Sequence, residues 1–120
     1  MTLSVTLDMA AATPPYEQVR AQLAGLIRAG ALLPGDKLPV VRALAADLGV
    51  ATNTIARAYR ELEAAGLVTT RRRVGTIVQA APAPASPELR RQAAAFVASS
   101  REAGLSDEAV IDLVRGALMG

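Results

Sequence analysis

The stretch VVRALAADLGVATNTIARAYRELEAAG, residues 40–66, contains two apolar patterns of helical spacing on either side of a glycine. Apolar residues three and four positions apart lie on one face of a helix. Gly49 and Gly66 are placed to end the two helices. Two short amphipathic helices joined by a three-residue turn that contains glycine predict a helix-turn-helix. The apolar positions are Val41, Leu44, Ala45 and Leu48 in the first helix and Ile55, Ala58, Tyr59 and Leu62 in the second.

The segments on both sides of this stretch extend the prediction to a winged helix. A first helix is expected after Pro14 and Pro15, with a stop at Gly30, because apolar residues recur at helical spacing between them. After the stretch, β-prone residues 67–70 and 75–78 flank a basic tip, which predicts a β-hairpin. Residues Ser4–Leu7 are also β-prone and predict a short edge strand that pairs with this hairpin. The side chains expected in the core are Tyr16, Leu23, Leu44, Leu48, Ile55, Tyr59 and Leu62.

A Pro/Ala segment at residues 80–87 predicts a stiff linker between two parts of the chain. Residues 1–79 would then be the winged helix, and residues 88–120 a tail of two helices, the second capped by Ser106. A helical hairpin this short cannot bury its own apolar face, so it must pack on the winged helix, a partner chain or both. If it packs on a second copy, the residues expected in the dimer interface are Leu89, Phe96, Val97, Val110, Leu113, Val114 and Leu118. The predicted fold class is mainly α with a small β wing.

The composition excludes several classes of site. The chain has no Cys and no His, which removes disulfides, thiolate nucleophiles, Cys/His metal sites and the usual general base near neutral pH. No phosphate-cradling glycine motif occurs, and the carboxylates do not form a catalytic or metal-binding set. We therefore expect no catalytic residues, metal or cofactor. The N-terminus does not read as a signal peptide and no apolar run is long enough to span a membrane, so a cytoplasmic protein is expected.

The charge is distributed unevenly along the chain. Up to Val78 there are nine basic and six acidic residues, a net charge of +3, whereas the remainder has four basic and five acidic residues, a net charge of −1. The basic excess is concentrated between Arg42 and Arg73. Such an excess favours a polyanionic partner, and arginine is suited to phosphate and guanine contacts.

The run from Pro15 to Val78 resembles the winged helix of the GntR family of bacterial transcription regulators. The tail resembles that of the YtrA-type subgroup, whose members use it for dimerisation. Val40 and Ala51 depart from the family pattern, which has Ser or Ala at the first position and a polar capping residue at the second. Thr52 is expected to cap the helix one residue later. The matching motifs are Pro15-Tyr16, Gln18, residues 30–39 (GALLPGDKLP), residues 42–45 (RALA), residues 48–50 (LGV), residues 53–59 (NTIARAY) and residues 75–78 (GTIV).

The resemblance implies a set of DNA-contacting residues. The second helix of the motif would enter the major groove, where Asn pairs with adenine and Arg with guanine. A basic wing tip would reach a phosphate or the minor groove. For each residue the alternative is an ordinary solvated surface, and Arg60 either contacts DNA or pairs with Glu61 or Glu63. The candidates are Arg42, Thr52, Asn53, Thr54 and Arg57 in the helices and Arg71, Arg72, Arg73 and Gly75 in the wing.

The resulting functional hypothesis is a homodimeric repressor that binds a pseudo-palindromic site on double-stranded DNA, with half-sites roughly 10 bp apart or a multiple of that. A small-molecule effector, if there is one, would bind where the hairpins meet each other or the wing. Three alternatives remain open at this point. They are a protein-interaction module, for which an uncharged recognition face would be expected, a nucleoid or partition protein with little sequence preference, and a fragment of an enzyme.

Overall fold

Five helices and a two-stranded antiparallel sheet account for the regular structure of residues 4–120, the part of the chain that the computed structural model describes. This is the predicted fold class. The described residues divide into two units, the first ending at Pro84 and the second spanning Ala85–Gly120. The elements are α1 (Pro15–Arg28), α2 (Val41–Leu48), α3 (Thr52–Ala64), β1 (Val68–Arg71), β2 (Gly75–Val78), α4 (Pro87–Glu102) and α5 (Asp107–Met119).

The core of the first unit lies mainly between α1 and α3, and α2 packs against α3. Leu23 of α1 and Ile55 and Leu62 of α3 are fully buried, as their helical spacing predicts. Leu48 is partly buried against this core. Tyr16 was expected in the core, and this expectation is wrong. It lies at the first turn of α1, where its ring is only partly covered.

The helix-turn-helix has the predicted boundaries. Gly49 ends α2 in the left-handed conformation at φ 70°, which glycine adopts without a steric penalty, and Val50 N donates to Ala45 O at 3.0 Å. Ala51 stands at the N-cap of α3 and makes no side-chain capping bond. Thr52 is the first residue inside the helix, so its predicted capping role is wrong.

The wing contains a third extended segment that the sequence did not predict. β1 and β2 pair antiparallel from Val68↔Val78 to Arg71↔Gly75. On the other edge of β2, Gly35 N donates to Val78 O at 2.8 Å and Leu38 N donates to Thr76 O at 2.9 Å. The residues just before α2 therefore pair with the wing, at the edge that was expected to receive the N-terminal strand.

The N-terminal segment is held by side chains instead of a sheet. Ser4–Leu7 is not a strand, so that prediction is wrong. The Gln22 amide both accepts from Thr6 N at 3.0 Å and donates to Thr6 O at 2.6 Å. Gln18 does the same for Asp8, at 2.8 Å and 2.9 Å. A side-chain amide has the donor and acceptor of a peptide group, so these two glutamines satisfy the segment while Val5 enters the core.

The second unit is a pair of capped helices. Ser86 and Ser106 accept from Leu89 N at 3.1 Å and Ala109 N at 3.2 Å, which confirms the predicted Ser106 cap. The segment predicted as a linker, residues 80–87, is not free at either end. Ala81 packs against the core of the first unit, and Pro87 is the first residue of α4. Within residues 4–120, no helix is both long and apolar enough to cross a membrane.

Candidate nucleic-acid interface

Helix α3 has one buried face and one polar exposed face. The buried side chains are those of Ile55, Ala58, Tyr59 and Leu62. At 100° per residue, Asn53, Arg57 and Arg60 fall on the opposite side of the helix, and all three are exposed. Thr52 is exposed and Thr54 partly buried, and both lie on the flanks of this face. The four predicted contact residues of α3 are therefore spread over its outer face and its flanks.

The N-termini of α2 and α3 lack side-chain caps. Val40 and Ala51 occupy the N-cap positions in extended conformations, and neither provides a hydrogen-bond acceptor. The first turns also contain no acidic residue. The first backbone N–H groups of a helix have no partner within the helix, and the helix dipole adds positive potential there. The N–H groups at both ends can therefore donate hydrogen bonds to a phosphate oxygen.

Arg57 is held by residues of the protein itself. Its Cζ lies 3.7 Å from the centroid of the Tyr16 ring, and its Nη2 donates to the Tyr16 hydroxyl at 3.1 Å. Its Nε lies 3.6 Å from Glu61 Oε2. Sequence reasoning selected Arg57 but missed Tyr16, which was assigned to the core. The spacing of apolar residues carries no signal for a contact between side chains 41 positions apart.

Arg42 and Arg60 are the free guanidinium groups of the two motif helices. Both are exposed, and neither makes an ion pair or a hydrogen bond with residues 4–120. Of the two alternatives left open for Arg60, the pairing with Glu61 or Glu63 does not occur, and both carboxylates have other partners. Glu61 lies beside Arg57, and Glu63 accepts from the backbone of the wing. The alternative for Arg60, a DNA contact, therefore remains.

The wing tip presents three exposed arginines in a tight turn. Val74 N donates to Arg71 O at 3.1 Å, and Arg73 has φ 66°. Arg73 is the one non-glycine residue of the described chain with positive φ, at a turn position where glycine is usual. None of the three arginines forms an ion pair within the described residues. Gly75, with φ 116°, follows the turn and begins β2.

Glu63 fixes the wing to the recognition helix. Its Oε2 accepts from Thr70 N at 2.8 Å, on the edge of β1 that does not face β2. The hydroxyls of Thr70 and Thr76 lie 3.4 Å apart across the hairpin. The carboxylate of α3 thus limits how far the wing can rotate away from the helix. Sequence reasoning considered Glu63 only as a surface partner for Arg60 and missed its bond to the wing.

Three ionisable groups of the first unit have shifted pKa values. The hydrogen bond from Arg20 lowers the pKa of the Glu17 carboxyl, and the same bond raises that of Arg20. Burial raises the pKa of Tyr59, whose hydroxyl donates to Pro39 O at 2.7 Å. Tyr59 therefore remains a neutral donor that ties α3 to Pro39, two residues before the start of α2.

The second unit exposes most of the side chains predicted for dimerisation. An apolar depression of about 470 Å³ is lined by Phe96, Leu113, Val114, Ala117 and Leu118. Of the two other predicted residues in α4, Leu89 is exposed and Val97 is partly buried. Val110 was predicted to lie in the dimer interface, but its side chain is already buried within the chain and is not available to a second copy. In the described part of the chain, no cluster of three or more acidic side chains could hold a metal ion.

Comparison with known proteins identifies relatives for most of the chain. Residues 15–78 match the family described as bacterial regulatory proteins, gntR family. The HTH-type transcriptional regulator Rv1152 of Mycobacterium tuberculosis is 46% identical over 100 residues, a match that covers 83% of this chain and 82% of that protein. The HTH-type transcriptional repressor YtrA of Bacillus subtilis is 42% identical over 74 residues, covering 62% and 57%.

Solved structures agree with these sequence matches. YtrA from Sulfolobus acidocaldarius, a GntR-family transcription factor, is similar with a TM-score of 0.58 and 31% identity, covering 82% of this chain and 97% of that one. The DNA-binding domain of AraR in complex with operator ORX1 is similar with a TM-score of 0.56 and 30% identity, covering 65% and 98%. The second likeness concerns a protein captured on its operator.

Proposed function

The chain belongs to the GntR family of bacterial regulatory proteins, and we propose that it represses transcription by binding a pseudo-palindromic operator as a homodimer. The observation that carries the proposal is a set of exposed arginines that form no ion pair with any of residues 4–120, in the same unit as the polar face of α3. They are Arg42, Arg60, Arg71, Arg72 and Arg73. Unpaired arginines of like charge repel one another, and an anionic partner removes that repulsion. Such a protein acts by occupying DNA in the cytoplasm and not by catalysis.

In the proposed complex, α3 lies in the major groove with its N-terminus nearest the bases. Asn53 pairs with adenine through its amide, and Thr52 and Thr54 contact a thymine methyl or a phosphate from the flanks. Arg42 neutralises a phosphate at the start of α2. The uncapped N-termini of α2 and α3 supply backbone N–H groups for the same purpose. We thus assign the base contacts to α3 and the phosphate contacts, which position the protein, to both helices.

The wing supplies a second group of contacts. Arg71, Arg72 and Arg73 lie in a turn that reaches a phosphate or a narrow minor groove beside the half-site. The bond from Glu63 to Thr70 keeps this turn in a fixed relation to α3. Arg73 holds a left-handed conformation that costs on the order of 1 kcal/mol for a residue with a Cβ. Because glycine would avoid this cost, the arginine side chain at position 73 is the wing side chain that most needs a functional explanation, here a DNA contact.

The second copy is proposed to bind at the apolar depression of the second unit. Leu118 is 80% exposed, and Leu113 and Val114 are about half exposed, on a hairpin too short to cover them. The same face on another copy is apolar too, which suits a two-fold contact in which each patch meets its own equivalent. A small apolar effector would compete with this contact or bind at its edge.

Fluorescence anisotropy with labelled duplexes tests the proposal. One duplex carries the DNA upstream of the gene that encodes this chain (the upstream duplex), and the other is its scrambled version. Both are measured at one physiological salt concentration, because phosphate contacts alone give non-specific affinity. We expect the ratio of the two affinities to exceed about 10³ and to fall strongly in Asn53→Ala. Arg42→Ala should weaken both duplexes and reduce the slope of log Kd against log salt by about 1.

Arg91→Ala is the matched control for Arg42→Ala. Arg91 is an exposed arginine of α4 that pairs with Glu88 at 2.9 Å, in the unit to which no DNA contact is assigned. Its substitution should leave both affinities unchanged. Equal affinity for the two duplexes, with no fragment enriched in a selection across the genome, would instead identify a non-specific DNA binder. Absence of binding to any duplex would refute the proposal.

A further inference from the structure

Tyr16 and Arg57 form a contact between α1 and the recognition helix. The guanidinium carbon lies 3.7 Å from the ring centroid, within the range of a cation–π interaction, and Nη2 donates to the phenol oxygen at 3.1 Å. Glu61, one turn further along α3, lies 3.6 Å from Nε. Two sides of the guanidinium are therefore occupied by the protein, on the face of α3 that carries Asn53.

The ring is fixed more firmly than an ordinary surface side chain. Tyr16 follows Pro14 and Pro15, which restrict the backbone at the start of α1, and Pro15 is the first helical residue. Its ring is half-buried, and it lies outside the cluster that forms the core. That core is complete without it, since Leu23, Ile55 and Leu62 already join α1 to α3. The ring thus has a fixed place without being needed for packing.

The contact leaves part of Arg57 free to bind. A guanidinium has five N–H donors. Nη1 makes no hydrogen bond to any of residues 4–120, and more than half of the Arg57 side-chain surface is exposed. A free arginine on a surface samples many rotamers, and ordering them opposes binding. An arginine that is already ordered avoids most of that loss.

We propose that Tyr16 is a positioning residue for DNA recognition, which holds the Arg57 guanidinium so that Nη1 meets one acceptor in the operator. The inference rests on the proposed function, because it specifies how one residue of that interface is prepared. Tyr16 contributes through Arg57 and needs no DNA contact of its own. The phenol oxygen and the ring face make separate contributions, since one accepts a hydrogen bond and the other attracts the cation.

A double-mutant cycle separates this role from a structural one. Tyr16→Phe and Tyr16→Ala are each measured alone and together with Arg57→Ala, on the upstream and scrambled duplexes. We expect Tyr16→Ala to raise Kd for the upstream duplex about tenfold and Tyr16→Phe about threefold, because the phenyl ring retains the cation–π contact. Neither change should have a further effect once Arg57 is alanine. Additive effects would overturn the proposal, and tighter binding by Tyr16→Ala would show that the ring competes with DNA.

Two further measurements report on the Arg57 contact instead of the overall affinity. A scan of single base-pair changes in the upstream duplex should show a preference at one position that weakens in Tyr16→Ala and Arg57→Ala alike. In NMR spectra, the Arg57 Hδ and Hε resonances should be shifted upfield by the ring, retain that shift on the duplex and lose it in Tyr16→Ala. Loss of the shift when DNA binds would overturn the proposal.

Val19→Ala is the matched control. Val19 is a fully buried residue of α1, so its truncation destabilises the unit without touching Arg57. It should lower the unfolding temperature and leave the base-pair scan unchanged. If the scan weakens equally in Val19→Ala, then Tyr16 acts only through stability and the inference fails while DNA binding by the protein stands. If wild-type protein binds no duplex, the proposed function fails as well.

Discussion

The two units of the chain treat their apolar side chains in opposite ways. The first unit encloses Leu23, Ile55 and Leu62 completely, whereas the hairpin of α4 and α5 buries only Val110 among its large apolar residues and leaves Leu118 80% exposed. A buried core stabilises a chain by itself, and an exposed apolar face gains the same free energy only when something covers it. The first unit is therefore expected to fold alone, and the second to depend on a partner.

The helix ends show a second difference between the units. Both helices of the hairpin begin at a serine that caps them, while α1, α2 and α3 begin without a side-chain cap. A missing cap lowers helix stability and leaves N–H groups open to a ligand. The unit with the better core thus has the less satisfied helix ends, at the positions proposed to meet phosphate.

Charging the apolar face of the hairpin should have the largest effect. In Val114→Asp we expect the dimer to dissociate, as measured by light scattering after gel filtration, because a carboxylate cannot be buried unpaired. Loss of the second copy should weaken operator binding about 100-fold or more, since the two half-sites are no longer bound together. Ala98→Asp places the same charge on an exposed position of α4 that does not line the depression. A dimer that persists in Val114→Asp would refute this interface.

Truncating one leucine in each unit compares the two cores directly. Leu62→Ala should lower the free energy of unfolding by about 3 kcal/mol, because Leu62 is fully buried and its removal leaves a cavity. Leu118→Ala should leave the thermal stability of the first unit unchanged and weaken only the dimer. Urea titration monitored by circular dichroism measures the first effect. Equal losses of first-unit stability would show that the two units are not independent.

Two hydroxyls provide a smaller version of the same comparison. The Tyr59 hydroxyl donates to Pro39 O, 20 residues away, whereas Ser100 donates to Phe96 O within its own helix at 2.8 Å. Tyr59→Phe should cost about 1 kcal/mol because a long-range bond is lost. Ser100→Ala should cost less, since alanine favours the helix and the lost bond is local.

Alkaline titration of the same variant tests the pKa of Tyr59. Burial raises the folded-state pKa above the unfolded value of 10.0, so the contribution to stability is full below that pH and is lost as the pH rises through the folded pKa. The difference in unfolding free energy between wild type and Tyr59→Phe should therefore shrink above a pH of about 10, by roughly 1 kcal/mol for each pH unit. A constant difference up to that range and beyond would contradict the assignment.

Removing a helix cap from the second unit, or adding one to the first, should have the smallest effect. Ser106→Ala is expected to cost about 1 kcal/mol of local stability at α5, seen as faster hydrogen exchange in its first turn. Ala51→Ser should stabilise α3 by a similar or smaller amount, since the hydroxyl can accept from the third residue of the helix. Unchanged thermal stability in Ala51→Ser would mean that the first turn of α3 is already satisfied.

The helices could be predicted from the sequence because their signals are local. Apolar spacing and glycine stops predicted α2 and α3 nearly residue by residue, and Gly49 ends α2 as expected. The hairpin was predicted for the same reason, since its two strands are joined by a short turn. Ser106 was recognisable as a cap from its place before two acidic residues.

Most of the failures involve partners that are distant in the chain. The β-prone residues Ser4–Leu7 pair with glutamine side chains and not with a strand, although their composition suits either. Tyr16 has an apolar position on α1 but faces an arginine. The carboxylates near Arg60 could have paired with it by spacing, yet one contacts Arg57 and the other the wing. Tertiary neighbours decided the contacts of the N-terminal segment, Tyr16 and Glu63, whereas Glu61 is beside Arg57 within α3 itself.

The segment between α1 and α2 has a consequence for how the sequence can vary over evolutionary time. Leu33 N binds the Asp36 carboxylate, Gly35, Asp36 and Leu38 bond to β2, and Pro39 O receives the Tyr59 hydroxyl. Nearly every residue of this loop is matched to a partner at a fixed distance along the chain. If Asn53 and Arg73 contact DNA as proposed, exchanging them would change the operator that is bound, whereas an insertion or deletion in residues 33–39 would misalign the wing and α2 together.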